Sequence, residues 1–305
     1  MRLIKPSFSI WDQQEGLEGV YKQIEKVGRV CYKSEDKITE DSAKPFVERM
    51  VKSGHGAMLE HGTVYLTITA TSPEVRKYEI NPYSRVKKIS VDGINGRAYI
   101  TTNYRVLVEN KWLDDLKYQC DSTPSHEKRI TVKFICDRGV SHEFVRHRVF
   151  SFAQESTRYC NYSKDKFNNE VTFIIPEWCP EIREDSNKGW DPCSMYDKFY
   201  LQHLQMAEDT YFSLLKQWDE KVPDKRYKSG FRNNPWTPQQ ARAILPNSLK
   251  TELVMTGFES DWEHFFELRD AGSAHPQARE LAHPLHMEFL RRNYLVDLYD
   301  EANPD

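Results

Sequence analysis

An α+β fold is predicted by three observations. Residues 64–69 alternate apolar and polar side chains as a half-buried strand does. A long amphipathic helix begins after Ser194. No repeat, low-complexity tract or linker divides the 305 residues. Together they predict one domain over 1–305, a mixed or antiparallel sheet packed by long helices.

Residues 14–26 read as a helix that Gly28 ends. In the next helix Thr39 or Asp41 is the cap, Phe46, Val47, Met50 and Val51 fall at helical spacing, and Ser53-Gly54 is the stop. A compact polar link, 55–63, feeds the 64–69 strand, where Val64, Leu66 and Ile68 alternate with Tyr65, Thr67 and Thr69. The charged stretch 71–97 carries a turn signal at Asp92-Gly93. A weaker strand covers 97–102 and another 131–136. Asp137-Arg138-Gly139 breaks the second, and a short helix then runs from Ser141 to Arg148. Strand 171–175 is closed by Pro176, and 176–193, rich in Pro, Trp and charge, reads as a loop insertion. Ser194 caps the clearest helix, with Tyr196, Tyr200, Leu204, Ala207, Tyr211, Leu215 and Trp218 as one core-facing stripe. Pro238 opens a shorter helix and Pro246 closes it. A strand at 249–256, a helix at 260–268 and a last helix from Pro276 to Arg292, kinked at Pro284, complete the order. Residues 297–305 form an acidic tail.

Hydrophobic residues at 39% and aromatics at 12% supply a core, although the mean hydropathy of -0.73 is polar. A net charge of -3 argues against a general nucleic-acid binder, whose footprint is basic, so an anion site has to be local. Such a patch exists: residues 141–166 hold five Lys/Arg against three Asp/Glu, plus two His. The six cysteines form no CxxC pair, which reads as reduced thiols. With no signal-peptide run and no stretch of membrane-spanning length, a soluble, cytoplasmic protein is expected.

The patch centres on 146–159, where Arg146, His147, Arg148 and Arg158 accompany Ser151, Gln154, Glu155, Ser156 and Thr157. Guanidinium groups do not build a core unpaired, and their planar fork of donors matches phosphate. A solvated, salt-bridged turn is the plainer reading of such a cluster. His142 and His147 nearly form a zinc-protease pair, but positions five apart on a helix diverge by roughly 140°, so they do not share a metal. His275, His283 and His286 have no accompanying Cys or carboxylate set, and no metal is expected. Neither a dinucleotide fingerprint nor a P-loop occurs. Cys160 lies close to the arginines, which favours a thiolate, but no dedicated base accompanies it and a small buried hydrophobe is the plainer reading.

Arg146-His147-Arg148, seven residues, Ser156, then Arg158-Tyr159 resembles the signature of the flavin-dependent thymidylate synthases. Glu60-His61-Gly62-Thr63 leading into a strand resembles the family's N-terminal flavin segment. Arg242 to Pro246, Leu268-Arg269 and His275-Pro276-Gln277 resemble its C-terminal pattern, in the same order. The resemblance implies a single α+β domain assembled as a homotetramer with active sites shared between subunits. The implied reaction methylates dUMP at C5 with 5,10-methylenetetrahydrofolate, FAD as hydride carrier and NADPH as reductant. It assigns FAD contacts to Arg146, His147, Arg148 and Gln154, with His61, Thr63 and His264 beside them. It assigns dUMP contacts to Gln154, Ser156, Arg158 and Arg242, and to the backbone at Glu143, Phe144, Val145, Arg146, Glu155, Ser156 and Thr157. Arg269 would contact the pyrimidine and carry the catalytic role. This sequence departs from the pattern at Gln154, where many members have Glu, and at Glu143, where many have Gln. Phe258 and Ser260 stand where some have Asn and Arg, and the link 270–274 is longer than the short form.

The residues suit that chemistry. A permanently protonated guanidinium such as Arg269 stabilises charge on a uracil ring, and no cysteine nucleophile is called for. Two other classes use the same residues. A single-strand-binding module would stack bases on Phe150, Phe152, Tyr159 and Tyr162 beside the arginines, against the overall negative charge. A non-catalytic sensor would bind dUMP and flavin without turnover.

Overall fold

Strand Thr63–Thr69 takes its expected alternation: Val64, Leu66 and Ile68 are buried. It pairs antiparallel with Arg97–Asn103, which pairs antiparallel with Arg85–Ile89. In this computed structural model the described residues are 1–90, 96–179, 182–185, 189–216, 222–223, 225–226, 231–232 and 235–295. The expected turn at Asp92-Gly93, Trp218, the 297–305 tail and parts of the 176–193 loop lie outside them.

The chain forms two units, each built from separate segments. The first comprises Met1–Pro6, Ile135–His142 and Glu155–Thr251; the second comprises Ser7–Phe134, Glu143–Gln154 and Glu252–Asp305.

In the second unit, helix Gly16–Tyr32 packs Val20 and Ile24 onto a core with Phe46, Val47, Leu66, Ile100 and Leu107. The helix does not stop at Gly28. That glycine lies inside it because a Cβ there would sit 2.6 Å from the Phe46 ring, so its role is close packing. The chain leaves the helix at Lys33, whose φ of 48° is left-handed. The next helix is Ala43–Lys52, with Ser53 and the positive-φ Gly54 ending it as expected. The polar link contains a short helix, Gly56–Leu59.

A four-stranded sheet runs in the order Ser7–Trp11, Arg129–Asp137, Lys250–Phe258, Ser151–Gln154. Leu253, Val254, Met255 and Thr256 are all buried, as in a strand covered on both faces. Helix Glu259–Arg269 follows directly and buries Trp262, Phe265 and Phe266; the Trp262 indole donates to the Ile130 carbonyl at 3.2 Å. Helix Pro276–Arg291 carries Pro284 in its interior and buries Leu281, Leu285 and Phe289.

The first unit pairs Arg2–Ile4 with Thr172–Ile174 in parallel, a pairing that short strand patterns did not announce. Helix Met195–Leu215 is capped by Ser194, whose hydroxyl accepts from the Asp197 amide at 3.1 Å. Its buried face includes Leu201, Leu204, Ala207 and Tyr211, with Tyr200 and Leu215 packed on the same cluster, so the expected stripe holds from Tyr200 to Leu215, while Tyr196 is 86% exposed. Two carboxylates share that face: Asp197, whose amide donates to Ser194, and Glu208, which accepts from the Val171 amide at 2.7 Å.

No disulfide joins the cysteines among the described residues. Among the same residues no helix is long and apolar enough to cross a membrane.

Candidate active site

The segment after helix Arg138–Phe144 is shaped by a simple rhythm: Phe144, His147 and Phe150 are buried, while Val145, Arg146, Arg148 and Val149 face outward. Aromatic packing holds the inward set. Phe144 meets Phe134 and Phe265, each with centroids 5.0 Å apart, and Phe150 meets Trp262 edge-on at 4.7 Å. Gly257 leaves room for Phe150, since a Cβ there would lie 2.5 Å from its ring. The anchored loop presents two outward guanidinium groups to solvent.

Arg269, the last residue of helix Glu259–Arg269, reaches this loop from the same unit. Its Nη1 donates to Glu143 Oε2 at 2.7 Å, Nη2 to the Glu143 carbonyl at 2.8 Å, and Nε to His147 Nε2 at 3.0 Å. Because Arg has no acceptor, His147 Nε2 must offer its lone pair, which makes the imidazole neutral with its proton on Nδ1. Burial, reinforced by the Arg269 charge, pushes His147 down to about 4, in agreement with that tautomer. Arg146 Nη1 lies 3.9 Å from the other Glu143 oxygen but is largely exposed. His264 is also exposed, held by Glu267 at 3.0 Å, with its ring 6.2 Å from that of His147. Glu143, Arg146, His147, His264 and Arg269 are thus brought together; Phe144 is core and Val145 surface.

His61 and Thr63 stand elsewhere in this unit. His61 is fully buried, its Nδ1 2.8 Å from the Thr256 hydroxyl, which in turn is 2.8 Å from that of Thr131. Burial, with the Arg129 charge adding to it, pushes His61 down to about 3. Thr63 pairs its backbone with the Gln13 amide, both bonds 2.8 Å, and lines a cavity of about 190 Å³ with Trp11, Tyr65 and Arg129. Gln154 closes the sheet edge opposite Leu253.

The first unit carries the remaining residues. Glu155, Thr157 and Cys160 point inward; Arg158 and Arg242 point out. Glu155 pairs with Lys250 at 2.8 Å, and the Thr157 hydroxyl accepts from Arg242 Nη1 at 2.8 Å. Arg158 Nε donates to Gln239 at 3.0 Å, while its amide contacts the Ser156 hydroxyl at 3.3 Å. A capping box of Thr237 and Gln240 starts the short helix Pro238–Ala241 that delivers Arg242. Gln239 and Lys250 carried no signal in the sequence, because each acts through a partner 81 or 95 residues away. Cys160 is fully buried within the cluster of Tyr162, Phe173 and Leu204.

The stacking platform for a single strand is corrected by these positions. Phe150 and Tyr162 are each only 5% exposed and cannot receive a base. No group of three or more His, Cys, Asp or Glu among the described residues could hold a metal.

In each unit, outward guanidinium groups offer the planar fork of donors that matches an anion. Residues 85–292 match the family described as thymidylate synthase complementing protein, and the chain belongs to that family. It is 24% identical over 274 residues to a flavin-dependent thymidylate synthase of Corynebacterium aurimucosum, covering 89% of this chain and 76% of that protein. A Mycobacterium avium protein of the same name is 30% identical over 155 residues, 51% of this chain and 53% of its own, so that match spans about half of the mycobacterial relative. The solved UMP/dUMP methylase PolB of Streptomyces cacaoi, bound with 5-Br dUMP, aligns over 95% of this chain and 93% of its own at 16% identity, with a TM-score of 0.41.

Proposed function

We propose that this protein methylates dUMP at C5 to give dTMP, with 5,10-methylenetetrahydrofolate as carbon donor, FAD as hydride carrier and NADPH as reductant. The observation that carries the reading is the Arg146–Arg158 segment with Arg242, His264 and Arg269, all inside the matched range 85–292. Relatives named flavin-dependent thymidylate synthase support the flavin.

Arg146, Arg148 and His264 offer exposed donors that fit a phosphate-bearing cofactor, and the buried, neutral His147 fits the flank of a planar ring system. His61 is fully buried, so its assigned part in FAD binding rests on shaping the surrounding fold, whereas Thr63 lines the cavity beside Tyr65 and Arg129. When bound, FAD supplies hydride chemistry that no side chain here possesses. Arg158 and Arg242 would take the dUMP phosphate as forked donors, with the Ser156 hydroxyl and the amides from Glu155 to Thr157 completing the shell. Gln154 and the backbone from Glu143 to Arg146 would complete the dUMP contacts.

Arg269 would stabilise negative charge on the pyrimidine, which makes C5 nucleophilic without an enzyme thiol. To do so it would turn from the Glu143 carboxylate, 2.7 Å away, to a carbonyl oxygen of the pyrimidine. The net reaction balances: the transferred methylene and a hydride become the methyl group, and the C5 proton leaves.

A single domain, a homotetramer with shared active sites and a cytoplasmic location are part of the same proposal. Neither nucleic acid nor a membrane is a partner in it. The test is anaerobic turnover of purified protein with dUMP, methylenetetrahydrofolate and NADPH, with and without FAD, reading dTMP by chromatography. FAD- and NADPH-dependent dTMP is expected. A flavin-loaded, folded protein that makes none would point to the sensor instead.

A further inference from the structure

We infer that Asp270, clasped by His283 and His286, is a positioning residue for Arg269. The inference rests on the catalytic role proposed for Arg269 and adds the device that holds it in place.

Arg269 ends its helix, and a helix end is the part most prone to fray. Asp270 is its C-cap, with its amide donating to the Phe266 carbonyl at 2.9 Å. The Asp270 carboxylate, 13% exposed, turns toward the neighbouring helix Pro276–Arg291. There His283 Nδ1 meets Oδ1 at 3.0 Å and His286 Nδ1 meets Oδ2 at 2.9 Å. A carboxylate only accepts, so both rings donate from Nδ1. Arg279 Nε adds a bond to the Asp270 carbonyl at 3.1 Å and lies 3.6 Å from Oδ1.

His286 is fixed on a second side. Its ring stacks on Phe266 with centroids 4.5 Å apart and planes 10° apart. Phe266 and Asp270 are four residues apart, on one face of the helix, and flank Arg269 in sequence. The partner helix is therefore tied to Phe266, one turn before Arg269, and to Asp270, directly after it, while Arg269 itself reaches Glu143 and His147. The residue Pro284 lies between the two histidines and supplies no amide to the helix ladder, so this stretch depends more on lateral contacts. Two imidazoles, a stacked ring and a guanidinium are more than an exposed turn needs for closure. They fix the origin of a side chain whose work depends on sub-ångström placement.

Asp270→Asn keeps the shape and removes the charge. It is expected to lower kcat about 10-fold while KM for dUMP moves by less than about 2-fold, the pattern of lost alignment and not of lost binding. The same change made in an Arg269→Lys background should cost nothing more, since its effect passes through the guanidinium. The Arg269 Nε–H resonance, identified by its loss in Arg269→Lys, should shift or broaden in Asp270→Asn. His283→Ala, at a half-exposed position, should show the same changes more weakly and serves if Asp270→Asn unfolds. A folded variant with unchanged kcat and an unchanged resonance would overturn the inference, as would an equal loss in the Arg269→Lys background. If the wild-type protein makes no dTMP, the proposed reaction fails, and the resonance alone decides the clasp.

Discussion

Arg269 is the residue on which the chemistry turns, and its surroundings allow a sharp expectation. It is held by Glu143 and His147 through three bonds of 2.7–3.0 Å, and none of them anchors the hydrophobic core. Arg269→Ala should therefore lower kcat by roughly 100-fold or more, the scale seen when one preorganised charge-stabilising donor is removed, with the circular dichroism spectrum retained. Wild-type turnover in that variant would end the assignment. Cys160→Ala makes the opposite case. The thiol lies at 0% exposure among Tyr162, Phe173 and Leu204, so turnover should persist, and a folded but dead variant would revive a thiol mechanism. The cluster 146–158 was legible in the sequence because charge concentrated in one stretch needs a reason. The split between inward His147 and outward Arg146 and Arg148 was not, because it depends on Phe265 and Trp262 packing from more than a hundred residues away.

Elements declare themselves where caps and periods agree, and mislead where one signal serves two purposes. Ser194 announced its helix correctly, and its hydroxyl accepts the Asp197 amide at 3.1 Å. Ser194→Ala should lower unfolding free energy by about 1 kcal/mol, measured by urea titration; no change would mean that the first turn is held by other contacts. Gly28 was a helix stop by composition but is a packing glycine in fact, because Phe46 crosses the helix there. No local pattern separates those two uses of glycine. The strands at 63–69 and 97–103 were legible through alternation, whereas Arg2–Ile4 and Ser7–Trp11 were not, being short and adjacent to Pro6. Their identity as strands depends on partners that sequence distance conceals.

At the scale of the whole molecule, the neutral histidines couple folding to pH. His61 is pushed down to about 3 and His147 to about 4, both by burial first, from an ordinary value near 6.5. Their folded-state values lie below their unfolded ones, so between pH 6.5 and about 4 the unfolded chain binds protons that the folded chain refuses. Stability is full above that window and falls as pH drops through it. Near pH 5, where carboxylates of ordinary strength are still ionised, each histidine should cost about 2 kcal/mol relative to neutral pH. His126, lowered in the same direction by burial, adds to the loss. Against it stand Glu259 and Asp261, whose burial raises them and which favour the folded state on acidification. Unfolding free energies from urea titrations at about pH 7 and about pH 5 should therefore differ by several kcal/mol, a large fraction of a typical folding free energy, with a lower urea midpoint at about pH 5. His61→Asn, which cannot take up a proton in either state, should reduce that difference by about 2 kcal/mol while leaving the His147 share in place. Equal midpoints at the two pH values would mean that both imidazoles find a proton inside the fold, and that His147 is a cation facing Arg269. That outcome would also remove the neutral pocket in which the proposed chemistry is set.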